Sequence, residues 1–138
     1  MTVVYGREEL VVDMSKDECR GRLRQGHLGR LAVGHGPGIE IFPINYTADG
    51  QAVFVRTSVG TKTAMVGVSP WVAFEIDGLD DGWTWSVVVK GPLRRLVTSA
   101  DLEVAGELGL RSAAPGTKDR LMRIDAVSVT GRRFRSVL

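Results

Sequence analysis

The chain has 138 residues, 43% of them apolar, with 18 basic and 16 acidic side chains for a net charge of +2, which suits a single domain over 1–138 with its own core. Charge this close to balance argues against a nucleic-acid partner. The one cysteine, Cys19, excludes an intrachain disulfide, and Cys19, His27 and His35 fall at no metal-ligand spacing, so no metal site is expected.

The start, Met1-Thr-Val-Val-Tyr-Gly-Arg-Glu-Glu9, carries acids and no long apolar run. Neither a signal peptide nor a membrane span is expected there, and cytoplasmic location is the default. Ser15-Lys-Asp-Glu18 has the form of a capping box, with Ser15 bonding the N3 amide and Glu18 reaching back, and predicts a helix running to about Gln25 and stopping at Gly26. His27 to Val33 reads as a first strand. Gly34-His-Gly-Pro-Gly38 leads into the β-branched run Ile39 to Thr47 with no helix after it, so it reads as a hairpin turn rather than a nucleotide loop.

Ala48-Asp-Gly50 is a second tight turn, and Gln51 to Thr57 alternates as a strand that pairs with the one before. The segment Phe54 to Lys62 then runs out of this strand into hydroxyls, a glycine and cations, with Gly60 permitting a turn and Thr61-Lys-Thr-Ala-Met-Val opening a short helix. Arg56 and Lys62 supply charge, while Thr57, Ser58 and Thr61 supply hydroxyl donors. No carboxylate lies nearby in sequence, so the stretch reads either as a phosphate cradle or as an ordinary solvated turn.

Pro70 to Asp77 predicts another strand ending in an acidic turn, and Trp83 to Val97 a long one with a bend or bulge at Gly91-Pro92. Ser99 is expected to cap a second helix that turns Leu102, Ala105 and Leu108 to the core. Leu121 to Thr130 and Phe134 to Val137 read as one strand and a short trailing one. The sum is a mainly β chain with short helices, about six strands spaced for an antiparallel barrel.

Hairpin pairing sets Pro43-Ile-Asn-Tyr46 beside Val55-Arg-Thr57. That arrangement makes a slot for a flat ring, since Pro43 lacks an N–H and leaves nearby backbone groups for a ligand, with Asn45 available to polar edges. The competing reading is a sheet-edge proline among core aliphatics.

Taken in order, Gly29-Arg-Leu-Ala-Val33, Phe42-Pro-Ile-Asn-Tyr46, Val53 to Lys62, Val72 to Asp77 and Trp85-Ser-Val-Val-Val-Lys-Gly91 closely resemble the pyridoxamine 5′-phosphate oxidase-like family of flavin-binding split-barrel proteins, over almost the whole chain. The resemblance implies a six-stranded antiparallel split β-barrel of Greek-key type, and a homodimer holding FMN at the subunit interface. By resemblance Arg56, Thr57, Thr61 and Lys62 hold the phosphate and ribityl end, with Ser58 in the same loop. Pro43, Ile44, Asn45 and Tyr46 line the isoalloxazine, with Val55 nearby, and Ser86 gives a polar contact. Trp85 is a candidate for the same wall or for ordinary packing.

The vitamin B6 oxidases of the family carry a longer C-terminal part with substrate-binding arginine and histidine residues, whereas here the sequence ends soon after Arg132-Arg133-Phe134-Arg135. The expectation is therefore one of the family's small flavoproteins, an FMN-dependent oxidoreductase acting on a small molecule with no catalytic protein residue. The alternative is a non-catalytic binder of flavin, of the deazaflavin F420 or of haem, serving as carrier, store or sensor.

Overall fold

Runs of alternating apolar side chains build nine strands in this computed structural model, which describes residues 2–5, 9–34, 38–57, 70–96, 98–109 and 120–136. In chain order they are β1 (Thr2–Tyr5), β2 (Glu9–Asp13), α1 (Lys16–Gln25), β3 (Leu28–Val33), β4 (Glu40–Ala48), β5 (Ala52–Thr57), β6 (Trp71–Asp80), β7 (Trp83–Arg95), α2 (Ser99–Glu107), β8 (Arg120–Asp125) and β9 (Ser128–Ser136). The short helix expected after Gly60 lies outside the described residues.

Six strands close a barrel in the order β3-β4-β5-β8-β7-β6, every pairing antiparallel. β3, β4 and β5 form a meander and β6 returns beside β3, which is the Greek-key connection. Inward residues of every barrel strand fill its interior, with Leu31, Phe74, Val55, Val87, Met122 and Ile124 fully buried. Closure pairs both edges of these strands over most of their length, the exception among the described residues being β4 from Ile41 to Asn45.

β7 is the strand that opens the barrel into its extension. One edge pairs with β6 along its length; the other pairs with β9 from Thr84 to Lys90 and with β8 from Leu93 to Arg95. Between these two stretches the register slips by one residue, so β8 and β9 form one long strand interrupted by a bulge at Ala126-Val127. The bend foreseen at Gly91-Pro92 faces this bulge, and a Cβ on Gly91 would overlap the carbonyl oxygen of Asp125. Past the bulge the far edge changes owner, from β5 beside β8 to β2 beside β9, and β1 completes the sheet.

Four expectations shift. Thr98, rather than Ser99, caps α2 by accepting from the Asp101 amide at 3.1 Å. Leu102 is 43% exposed, while Ala105, Val104 and Leu108 pack with Ala52, Phe54 and Leu96 on the outer side of β5. The acidic turn is shorter than expected, because β6 continues to Asp80 and Asp81-Gly82, both at positive φ, make a two-residue hairpin turn. The strands β1 and β2 were not expected at all.

Helix α1 closes one end of the barrel with Cys19 and Leu23 buried. Ser15 caps it as predicted, accepting from the Glu18 amide at 3.1 Å, but the Glu18 carboxylate accepts from Arg133 on β9 rather than reaching back.

Candidate functional site

Strand alternation divides the residues of β4 between two environments. Ile44 and Tyr46 point into the barrel and are buried, while Pro43 and Asn45 point outward and are exposed. The Tyr46 hydroxyl donates to the Leu23 carbonyl at 2.7 Å and its ring meets Phe74 edge-on. Burial pushes its pKa up to about 12. Val55, opposite Tyr46, is wholly buried. The side chains of Ile44, Tyr46 and Val55 therefore fill the core, and the Tyr46 N–H donates to the His27 carbonyl at 3.0 Å.

The pairing of β4 with β5 stops at Tyr46↔Val55, although β5 stays paired with β8 as far as Thr57↔Arg120. From Ile41 to Asn45, β4 has β3 on one edge and no strand beside the other among the described residues. Its backbone N–H and C=O groups on that side have no strand partner among the described residues, and Arg56 is exposed nearby at the end of β5. Ser58, Thr61 and Lys62 lie outside the described residues, and Thr57 is placed only as the last backbone position of β5.

Ser86 stands on the same outer face as Pro43, farther around the barrel. Register neighbours carry one row of residues across the sheet through Pro43, Arg30, Glu75, Val88 and Thr130. Three strand spacings separate Pro43 from Val88, about 14 Å. The middle of this row is ionic: Arg30 bonds Glu75 and lies 2.8 Å from Asp77, and the hydrogen bond to Glu75 raises its pKa further.

Beyond that trio, Ser86, Val88, Lys90, Thr130, Gly131 and Arg132 line a hollow of about 250 Å³. Ser86 was singled out from sequence, whereas Lys90, Thr130 and Arg132 were not. Counting along β7 by twos from Ser86 reaches Val88 and Lys90, so the alternation itself carried that signal. Trp85 faces the other way, packed against the barrel core with the Arg22 guanidinium 4.5 Å over its ring. Of the two roles the sequence left open for Trp85, its facing favours packing, since in β7 consecutive side chains take opposite faces.

No group of three potential metal ligands occurs among the described residues, and none of their helices is long and apolar enough to cross a membrane.

The sequence profile described as pyridoxamine 5′-phosphate oxidase matches residues 15–133. The chain belongs to the pyridoxamine 5′-phosphate oxidase family. A structure of the FAD binding protein from Mycobacterium smegmatis is 34% identical, with a TM-score of 0.78 over 90% of this chain and 98% of that one. An FAD-binding protein from Mesorhizobium loti, 22% identical with a TM-score of 0.71 over 89% of this chain and 97% of that one, shares the fold. A Rhizobium meliloti protein of uncharacterised function is 32% identical over 84 residues, which cover 60% of this chain and 56% of that protein. Placement of β3 to β8 in a six-stranded barrel agrees with this membership.

Proposed function

We propose that this member of the pyridoxamine 5′-phosphate oxidase family binds a flavin and acts as an FMN-dependent oxidoreductase toward a small molecule. The observation that carries the reading is the edge of β4 from Ile41 to Asn45, which has no strand beside it among the described residues and adjoins the end of β5. Strand-edge N–H and C=O groups match the alternating acceptors and donors on the polar rim of a flavin ring. Asn45 adds a side-chain amide there, and Pro43 sets a flat, N–H-free surface. Arg56, with Thr57, Ser58, Thr61 and Lys62 of the following segment, is the proposed phosphate end.

When bound, the flavin supplies the ring that takes up and gives back hydride or electrons. The protein's own residues bind and orient it.

A homodimer accounts for both candidate regions at once. Pro43 and Ser86 are on one face but separated by the Arg30, Glu75 and Asp77 trio, and the same face exposes Leu28, Ile41 and Trp71 at 55–69%. A second copy laid on this face would cover those apolar side chains and bring the β4 edge of one protomer toward Ser86 of its partner.

A binding role without turnover is the second reading, favoured by the Mycobacterium smegmatis relative, which is described as an FAD binding protein. The same comparison makes FAD a competitor of FMN, alongside the deazaflavin F420. Absorbance and mass analysis of the cofactor that copurifies, followed by competition among FMN, FAD and F420, tests the reading. Protein without flavin absorbance and without saturable binding of any of the three contradicts it. NADPH oxidation above the free-flavin background separates an enzyme from a carrier.

A further inference from the structure

We propose that Lys90 and Arg132, with the hydroxyls of Ser86 and Thr130, form an oxyanion subsite at the flank of the flavin groove. Lys90 and Thr130 lie in adjoining strands, β7 and β9, with Ser86 directly opposite Arg132. All four side chains project from the outer face into one hollow of about 250 Å³. That is smaller than the roughly 300–1,000 Å³ of a whole small-molecule pocket, so it fits one charged group of a larger ligand.

The charge balance of the hollow is positive, and the surrounding acids account for this. None of its six lining residues is acidic. Glu75 and Asp77, the β6 neighbours of Val88 and Ser86, are both held by Arg30. Among the described residues Asp13, opposite Arg132 on β2, is a further carboxylate beside the site, and it shares an adjoining hollow of about 310 Å³ with Lys16, whose ammonium bonds the Val129 carbonyl. Lys90 and Arg132 are exposed and stand four register positions apart, Lys90 opposite Ser128 and Arg132 opposite Ser86, so an anion in the hollow would lie between their two charges. A lysine ammonium, an arginine fork and two hydroxyls offer enough donors for the several oxygens of a phosphate, more than a single carboxylate can use.

The identity of the molecule carrying the anion rests on the flavin reading; the subsite itself does not. Two sources present the same chemistry: the second phosphate of a dinucleotide flavin and the anionic end of a separate ligand.

The test is calorimetric titration of inorganic phosphate into FMN-saturated protein, wild type against Lys90→Ala/Arg132→Ala, with Lys90→Gln and Arg132→Gln singly should the double variant misfold. Phosphate affinity is expected to fall about tenfold or more in the double variant while FMN affinity changes by no more than about twofold. Absence of saturable phosphate binding in the wild type, or equal binding in the variants, overturns the subsite. A parallel loss of FMN affinity also overturns it, because the pocket would then hold the cofactor's own phosphate. Among supporting results, a lower FAD-to-FMN preference in the variant assigns the anion to the cofactor, and an unchanged preference assigns it to a second ligand. Should wild-type protein bind no flavin, the flavin reading fails, and the same titration of flavin-free protein decides the subsite.

Discussion

Trp85 and Ser86 are consecutive in β7 and face opposite sides of the sheet: Trp85 lies under the Arg22 guanidinium against α1, and Ser86 opens onto the hollow with Lys90 and Arg132. Stability and binding are thereby assigned to adjacent residues. Arg22 is itself held by Asp80 at 2.8 Å, and Gly78 lies so close that a Cβ there would come within 2.6 Å of the indole. Trp85→Ala is expected to lower unfolding free energy by about 2 kcal/mol, less than the 3–5 kcal/mol of a fully buried aromatic, and to leave flavin affinity intact. Ser86→Ala is expected to do the reverse. Denaturant melts with flavin titrations on both variants check the pair.

Gly91 is required by contact rather than by turn geometry. Its α-carbon sits against the Asp125 carbonyl at the bulge, and that oxygen belongs to backbone that cannot swing aside. Gly91→Ala is expected to cost about 3 kcal/mol, at the upper end of overpacking effects, because the barrel must loosen where β8 hands over to β9. Thermal denaturation measures this; a melting temperature equal to that of the wild type would remove the bulge from the account.

Tyr46 should titrate abnormally. Burial raises its pKa from 10.0 to about 12, so the folded state holds the neutral phenol and the unfolded chain ionises first. The stabilisation is whole below pH 10 and is lost as pH rises toward 12. Ultraviolet titration should show this one of the chain's two tyrosines ionising late, and Tyr46→Phe should abolish the late phase. The same substitution removes the bond to the Leu23 carbonyl at a cost of about 1 kcal/mol near neutrality.

Helix α2 is tied to the barrel by Asp101, which accepts from Arg94 at 2.9 Å. That hydrogen bond lowers the Asp101 pKa below its ordinary 3.8. A depressed carboxylate stabilises the fold above its unfolded pKa and ceases to do so as pH falls through the folded value. Asp101→Asn is therefore expected to be less stable than wild type at neutral pH, with the gap closing in acid. A gap that persisted undiminished at low pH would point to packing instead of charge.

The fold was legible where periodicity and turn chemistry agreed. The β4–β5 hairpin and the bend in β7 at Gly91-Pro92 were readable, but of the pairing expected between Pro43-Ile-Asn-Tyr46 and Val55-Arg-Thr57 only Tyr46↔Val55 forms, because β4 leaves β5 at that point. The β1 and β2 hairpin went unread although Val3-Val4 and Leu10-Val11-Val12 flank Gly6, because a strand pair that extends a sheet is specified by its partner β9 and only weakly by its own residues. The break between β8 and β9 was equally hidden, since Asp125-Ala-Val127 carries no glycine or proline and the bulge shows only in the one-residue slip of β8 and β9 against β7. For the site, the two-residue period of β7 separates Ser86 from Trp85, leaves packing as the role of Trp85 and aligns Lys90 with Ser86, whereas Arg132 joins that face only through the pairing of β7 with β9.

The central claim is that a flavin sits at the edge of β4 with its phosphate at the end of β5. Equilibrium titration of flavin-free protein with FMN, wild type against Arg56→Ala/Lys62→Ala, tests it most directly. Each lost charge-assisted contact is worth about 1.5–3 kcal/mol, so the account predicts saturable wild-type binding that weakens at least about tenfold in the double variant. Equal FMN affinity in the two proteins, or none in the wild type, would contradict it.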